Sequence, residues 1–421
     1  MNVQLRERAE INKLPLMDYI LRRIKELEKE TGTRRTIFAA CPNSRAVIRA
    51  ALRSAKRNNG PVKFAATLNQ VDIDGGYTHL TQKEFIGTIQ KEARIIHFTG
   101  PVIVAVDHGG PWLKDIHKTE NWSLSKSMDW VKKSFEAAID AGYDLIHVDP
   151  TIDITLKKGE IINIDVVVER TVELIEHTEK YRESKGLKPV SYEVGTEEVH
   201  GGLADMEVFN HFLVQLKKGL LEKGLSHVWP CFIVGKVGTD LHTTVFDPMV
   251  AKELTAAAAR YGSFIKGHYS DGVENPELYP MSNMGAANVG PEFTEKEYDG
   301  LMELADIEKS LFKEQHIPEL SNIKEVIWKT VIDSQRWKKW LNESESSVDF
   351  YANSNPRQEW LIKTCARYIW ENADVLAARN ILFDHINNHG IDADEILLSH
   401  IEKAMDRYYH KFNLVDLNNL L

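Results

Sequence analysis

The chain has 421 residues, enough for one large domain and a smaller one, with the 43% hydrophobic and 27% charged content of an ordinary globular protein. A formal net charge of −10, with the two signs interleaved, argues against nucleic-acid binding and against a membrane-surface role. Cys41, Cys231 and Cys365 lie far apart with no CxxC spacing, which argues against a disulfide framework or a thiolate zinc site. No stretch approaches the ~20 apolar residues of a membrane helix. The opening MNVQLRERAEINKLPLMDYI lacks the apolar run and cleavage site of a signal peptide, so a cytoplasmic, soluble protein is expected.

In chain order, short β-branched or apolar runs alternate with helical patterns. Strands are predicted at 36–40 (TIFAA), 62–67 (VKFAAT), 102–107 (VIVAVD), 145–149 (LIHVD), 190–194 (VSYEV), 229–234 (WPCFIV), 263–267 (SFIKG) and 286–290 (AANVG). Several are apolar nearly throughout, as strands buried on both faces of a parallel sheet are. Between them run helices such as 44–57 and 127–142, the latter closed by Gly142. Eight such units predict an α/β fold, a (β/α)8 TIM barrel. A doubly wound open sheet is the alternative, and it lacks support because no GxGxxG or GxxxxGK[ST] occurs. After Glu303 the strand signals stop. Residues 1–303 are therefore expected to form the barrel with an N-terminal helix, and 304–421 a helical extension packed on it. Trp328, Trp337, Trp340, Trp360 and Trp370 fall in that extension, where large aromatics usually serve packing.

In a barrel of this kind the chemistry sits where strands hand over to the loops that follow them. Those positions carry Cys41-Pro42-Asn43-Ser44, Asn69-Gln70, Asp107-His108, Asp149, Glu193 to Glu197, Gly235 to His242, Lys266-Gly267-His268 and Asn288 to Pro291. His108, His242 and His268 come from the third, sixth and seventh strands. Neutral imidazole is the commonest ligand of a divalent transition metal, and Glu193 or Glu197 can complete the shell. Any one of these histidines alone is more often a merely hydrogen-bonded residue; three at one mouth, with acids beside them, point to a metal centre. His147 alternates with Asp149 within the fourth strand, facing inward, and His200 follows the fifth; both rank second. Asp107 and His108 are adjacent, so on a regular strand their side chains point to opposite faces. A capping or loop-fixing role is the plain alternative for Asp107 and Asp149.

At these residues the sequence resembles the accessory, so-called non-catalytic, subunit family of class II tagatose-bisphosphate aldolases, which includes relatives implicated in C4 epimerisation of ketohexoses or their phosphates. The likeness runs through Asn69-Gln70-Val71 with Gly75-Gly76-Tyr77-Thr78, Asp107-His108 with Gly110-Pro111-Trp112, and Ile146-His147-Val148-Asp149. It continues in Gly195-Thr196-Glu197, Asp240 with His242, His268, and Val289-Gly290-Pro291, and thins out around Arg367-Tyr368-Ile369-Trp370. Glu193 matches the Glu-x-Gly pattern of catalytic class II aldolases and departs from some accessory members. Lys236 and Lys266 are particular to this sequence.

The resemblance implies a divalent metal, Zn2+ with Mn2+, Ni2+ or Co2+ as alternatives, that polarises a ketose carbonyl while the C3–C4 bond breaks. His108, His242, His268 and Glu193 (or Glu197) are the expected ligands. Asp107, Glu197 and Asp149 are the expected catalytic groups; Asn69, Gln70, Lys236, Lys266 and Asp240 are expected on the substrate. Ion pairing with nearby acids is the plain alternative for the two lysines. The expected activity is a ketohexose, or ketohexose phosphate, C4-epimerase interconverting fructose and tagatose forms. The alternative is a tagatose-1,6-bisphosphate aldolase subunit, either cleaving or stabilising a partner aldolase. A homo-oligomer or a partner aldolase chain fits either reading.

Overall fold

The computed structural model describes residues 3–157, 160–195, 203–240, 243–342 and 344–421. Eight parallel strands close into a barrel in sequence order: β1 (Ile37–Ala40), β2 (Val62–Thr67), β3 (Val102–Gly109), β4 (Leu145–Val148), β5 (Ser191–Val194), β6 (Phe232–Val234), β7 (Phe264–Gly267) and β8 (Ala286–Val289). Every predicted strand forms, with ends shifted by at most a few residues. The (β/α)8 barrel and its C-terminal helices are as the sequence pattern predicts. The strands are buried almost throughout because helices cover their outer faces and their inner faces meet each other.

The connecting helices are set by local signals. Ser44 caps the helix Arg45–Arg57 by accepting from the Val47 N–H, and Thr81 with Glu84 forms a capping box on Gln82–Ile95. Gly142, in the left-handed conformation at φ 86°, ends Leu124–Ala141 just before β4. The N-terminal helices seal the amino end of the barrel. Arg6 pairs with Asp144, which also accepts from the Val104 N–H at 3.0 Å, and Asp18 accepts from the Ser191 hydroxyl at 2.6 Å.

The helix after β8, Pro291–Lys313, is continuous through Glu303, so the expected junction between barrel and extension falls inside one helix. The last long helix, Ala393–Lys411, packs against Arg45–Arg57 and Pro291–Lys313. Its Tyr408 stacks on Phe38 of β1 with ring centroids 5.6 Å apart, and Tyr409 donates to the Pro61 carbonyl at 2.9 Å. Trp337 and Trp370 are buried in the extension, whereas Trp340 reaches the open mouth of the barrel.

Candidate active site

A cavity of about 250 Å³ opens at the carboxyl end of the strands. Its floor and walls include Gln70, Asp107, His108, His268 and Asn288 from the barrel, and Trp340, Arg367 and Tyr368 from the C-terminal helices.

β3 contributes two adjacent site residues because its end is irregular. The β3–β4 register shifts between Val106 and Gly109, and His108 takes a φ of 46°. That left-handed turn is costly for a non-glycine residue and brings His108 to the cavity beside Asp107, where an unbroken strand would send it to the other face. The two glycines that follow allow the close approach of β4. A Cβ on Gly110 would stand 1.9 Å from the Asp149 carbonyl oxygen, and one on Gly109 would stand 2.7 Å from that of His147.

Asp107, His147, Glu193 and His268 present ligand-type atoms that all lie within 4.8 Å of one another, every one of them buried. His147 and Glu193 are register partners on β4 and β5, which puts them in one layer. His147 Nδ1 lies 3.2 Å from Glu193 Oε1 and 3.3 Å from Asp107 Oδ1. His268 Nε2 stands 3.5 Å from Glu193 Oε1 and 3.6 Å from Asp107 Oδ1, too far for good hydrogen bonds. Lys266, one turn of the pleat below His268, sends its Nζ 2.7 Å from Glu193 Oε1 and 3.1 Å from Asp107 Oδ1. Asn288 donates to Asp107 Oδ2 at 3.0 Å.

The electrostatics follow from that packing. Burial alone would push the Asp107 and Glu193 carboxyls up, but Lys266 and the histidines outweigh it and hold both well below the ordinary carboxylate range. Burial works against charge on Lys266 too, yet the same two acids keep it an ammonium ion. His268 is pushed down to about 3 by burial and by the positive potential of His108 and Lys266, so it is a neutral imidazole. Lys63, on the inner face of β2 with Nζ 4.0 Å from Glu193, is lowered to about 8, first by burial and then by Lys266.

This group fits a metal ion. Among the described residues His147 Nε2, both ring nitrogens of His268 and Asn288 Oδ1 are buried without hydrogen-bond partners. Leaving so many polar atoms unmet is expensive unless a bound species engages them. Two carboxylates and two imidazoles are a donor set suited to a divalent ion.

His108, one of the expected ligands, is not in this four-residue group but forms a second one with His147 and Asp149, their ligand-type atoms also within 4.8 Å of one another. Its Nδ1 lies 2.5 Å from Asp149 Oδ2, and its Nε2 is 3.9 Å from Asp107 Oδ2. Burial disfavours charge on His108, but Asp107 and Asp149 more than compensate and raise it. Asp149 is in turn fixed by the Thr151 hydroxyl at 2.6 Å.

The other expected residues divide. Gln70 is buried, bonded to Asn43 at 2.8 Å and lining the cavity; Asn69 also lines it, while its Oδ1 accepts from the Asp115 N–H at 2.9 Å and so fixes the loop after β3. Lys236 and Asp240, on the loop after β6, are not among the described residues that line the cavity. Glu197, His200 and His242 lie outside the described residues. His147, second in rank from the sequence, falls within the four-residue group; Asn288 and Arg367, with no role expected from the sequence, line the cavity, and Lys63 lies against Glu193. A lysine on the inward phase of an otherwise apolar strand was the available signal for Lys63.

A closed (β/α)8 barrel with a buried carboxylate–imidazole centre at its carboxyl mouth defines the class. Within it, the chain belongs to the family described as D-tagatose-1,6-bisphosphate aldolase subunit GatZ/KbaZ-like, whose model matches residues 21–417. Among solved structures it is similar to a probable tagatose 6 phosphate kinase from Sinorhizobium meliloti 1021, at 20% identity and a TM-score of 0.74, covering 90% of this chain and 100% of that one. It is also similar to the fructose-bisphosphate aldolase of Campylobacter jejuni, at 13% identity and a TM-score of 0.53, covering 95% of each chain. At these identities the likeness concerns the fold. No helix among the described residues is long and apolar enough to cross a membrane.

Proposed function

We propose that this chain is a metal-dependent C4-epimerase of a ketohexose or ketohexose phosphate, working by retro-aldol and aldol steps in the cytoplasm. The observation that carries the reading is the convergence of Asp107, His147, Glu193 and His268 within 4.8 Å, beside the paired His108 and Asp149.

In this reading the four converging side chains hold the ion, with Zn2+ first and Mn2+, Ni2+ or Co2+ as alternatives. Such an ion, when bound, supplies Lewis-acid polarisation of the ketose carbonyl. Lys266 and Lys63 offset the charge of the two buried carboxylates. In its neutral form His108, oriented by Asp149, takes the proton of the C4 hydroxyl as the C3–C4 bond breaks and its electron pair passes toward the C2 carbonyl; Asp149 and Asp107 then stabilise the imidazolium that results. The C4 fragment is then an aldehyde. If it turns over and re-adds through its other face, His108 returns the proton and the product is the C4 epimer. Gln70 and Asn69 orient hydroxyls. Trp340 and Tyr368 roof the cavity and limit escape of the aldehyde, which separates epimerisation from cleavage.

The test is the purified chain alone with each ion in turn. Tagatose formed from fructose, or the same exchange between their phosphates, supports the proposal. Release of a triose supports an aldolase instead.

One observation favours a second reading, a stabilising subunit for a separate aldolase chain. Lys266 already bridges Glu193 and Asp107, so an internal cation stands between the two acids. A chain that turns over no ketose by itself but raises the activity of a partner aldolase would establish that reading.

A further inference from the structure

Arg367 is 7% exposed, and its Nε and Nη2 have no hydrogen-bond partner among the described residues. Its guanidinium lies against aromatic faces, with Cζ 4.8 Å from the centre of the Trp340 ring and 5.1 Å from that of Tyr368. No carboxylate among the described residues pairs with it. Two further cations stand nearby, Arg336 over the Tyr368 ring at 4.2 Å and Lys339 over the Trp340 ring at 5.1 Å, and both share one acid, Asp115. Three cations against one carboxylate leave this wall of the cavity strongly positive. Ring faces ease the burial of a guanidinium but do not satisfy its N–H groups, and a buried charge without a hydrogen-bonded partner is costly. Arg367 lines the same cavity as Asp107 and His268, on the side built by the C-terminal helices.

We propose that Arg367 is the anion-recognising residue of this site, its planar fork taking a terminal phosphate or carboxylate of an open-chain ketose whose other end lies at the carboxylate–imidazole centre. This rests on the reading of that centre as a ketose site, and it narrows the substrate to an anionic sugar. The fixed fork of N–H donors matches the oxygen spacing of both groups, which an ammonium ion does not. It also gives the helical extension a purpose in substrate selection, since the barrel's own described side chains place no unpaired guanidinium in the cavity.

Calorimetric titration of the full-length protein tests this without requiring turnover. The ligands are fructose, fructose 6-phosphate, a keto-hexuronate and inorganic phosphate. Anionic ketoses are expected to bind about tenfold to a hundredfold more tightly than fructose, the range of a charge-assisted hydrogen-bonded pair, with inorganic phosphate competing. Tighter binding of the 6-phosphate identifies a phosphate site, and tighter binding of the hexuronate a carboxylate site. In Arg367→Gln the preference for anion over neutral sugar collapses toward one. Should Arg367→Gln fail to fold, Arg367→Lys, which keeps the charge but loses the fork, is expected to cut the preference severalfold. No preference in the wild type, or full preference in either folded variant, overturns the proposal. Anion-selective binding without turnover would leave this site standing and remove the epimerase reading; turnover of fructose without anion selectivity would do the reverse.

Discussion

His108 Nδ1 and Asp149 Oδ2, contributed by the ends of neighbouring strands β3 and β4, stand 2.5 Å apart. The contact exists because the register shift and the φ of 46° at His108 turn its ring inward, while Gly110 lets β4 approach. The carboxylate fixes one nitrogen of the ring and leaves the other for the cavity, the usual arrangement for an oriented acid–base histidine. Asp149→Asn is therefore expected to lower kcat about 100-fold to 10,000-fold, the range for loss of general acid–base catalysis. Metal content, measured alongside, is expected to stay at the wild-type level. Equal loss of metal and activity would place Asp149 in support of the centre instead.

Lys266 gives a second prediction. Its ammonium is fully buried between Glu193 and Asp107. Replacing it by Met removes the ammonium that bridges the two buried carboxylates and leaves only Lys63, 4.0 Å from Glu193, to offset them, at a cost of about 3–5 kcal/mol in metal-free protein. If the same acids hold a divalent ion, adding Zn2+ or Mn2+ restores more stability to Lys266→Met than to wild type. Urea unfolding with and without metal reads both numbers. A variant as stable as wild type, or one indifferent to metal, would remove the charge-balance argument.

Asp271 gives a pH prediction away from the centre. Its Oδ1 accepts the Gly290 N–H at 2.8 Å and the Glu292 N–H at 2.9 Å, yet burial pushes the carboxyl up to about 7. An unfolded chain releases that proton near about 3.9. Between those values the folded state holds the proton more tightly, so Asp271 makes stability fall as pH rises through that window. Asp271→Asn keeps an acceptor oxygen and removes the titration. The Tm of the variant relative to wild type is expected to climb from pH 4.5 to pH 8; parallel curves would contradict the assignment.

The barrel was legible in the sequence because its strands are short, apolar on both faces and separated by helices with clear caps. The β4 helix-to-strand turn at Gly142 and the strand ends at Asp107, Glu193, Lys266 and His268 could be placed from pattern alone. Their partnerships could not. His147 and Glu193 meet through cross-strand register, and Lys266 reaches Asp107 across the barrel interior, relationships with no trace in local spacing. Asp107 and His108 can share the cavity only where the strand is broken between them, and a bulge leaves no periodic mark in a single sequence. Arg367 lay beyond the reach of strand-end reasoning altogether, since it arrives from a helix more than half the chain away from Gln70 and Asp107.

The proposed centre places one divalent ion among Asp107, His147, Glu193 and His268. Metal analysis of the purified wild-type chain, beside His147→Ala and His268→Ala shown by circular dichroism to be folded, tests it most directly. About one equivalent of a transition metal is expected in the wild type, held by the four-residue donor set in which every ligand is buried, and its loss is expected in both variants. A folded wild-type protein that takes up no metal even when Zn2+, Mn2+, Ni2+ and Co2+ are supplied, or variants that retain it in full, would contradict the claim.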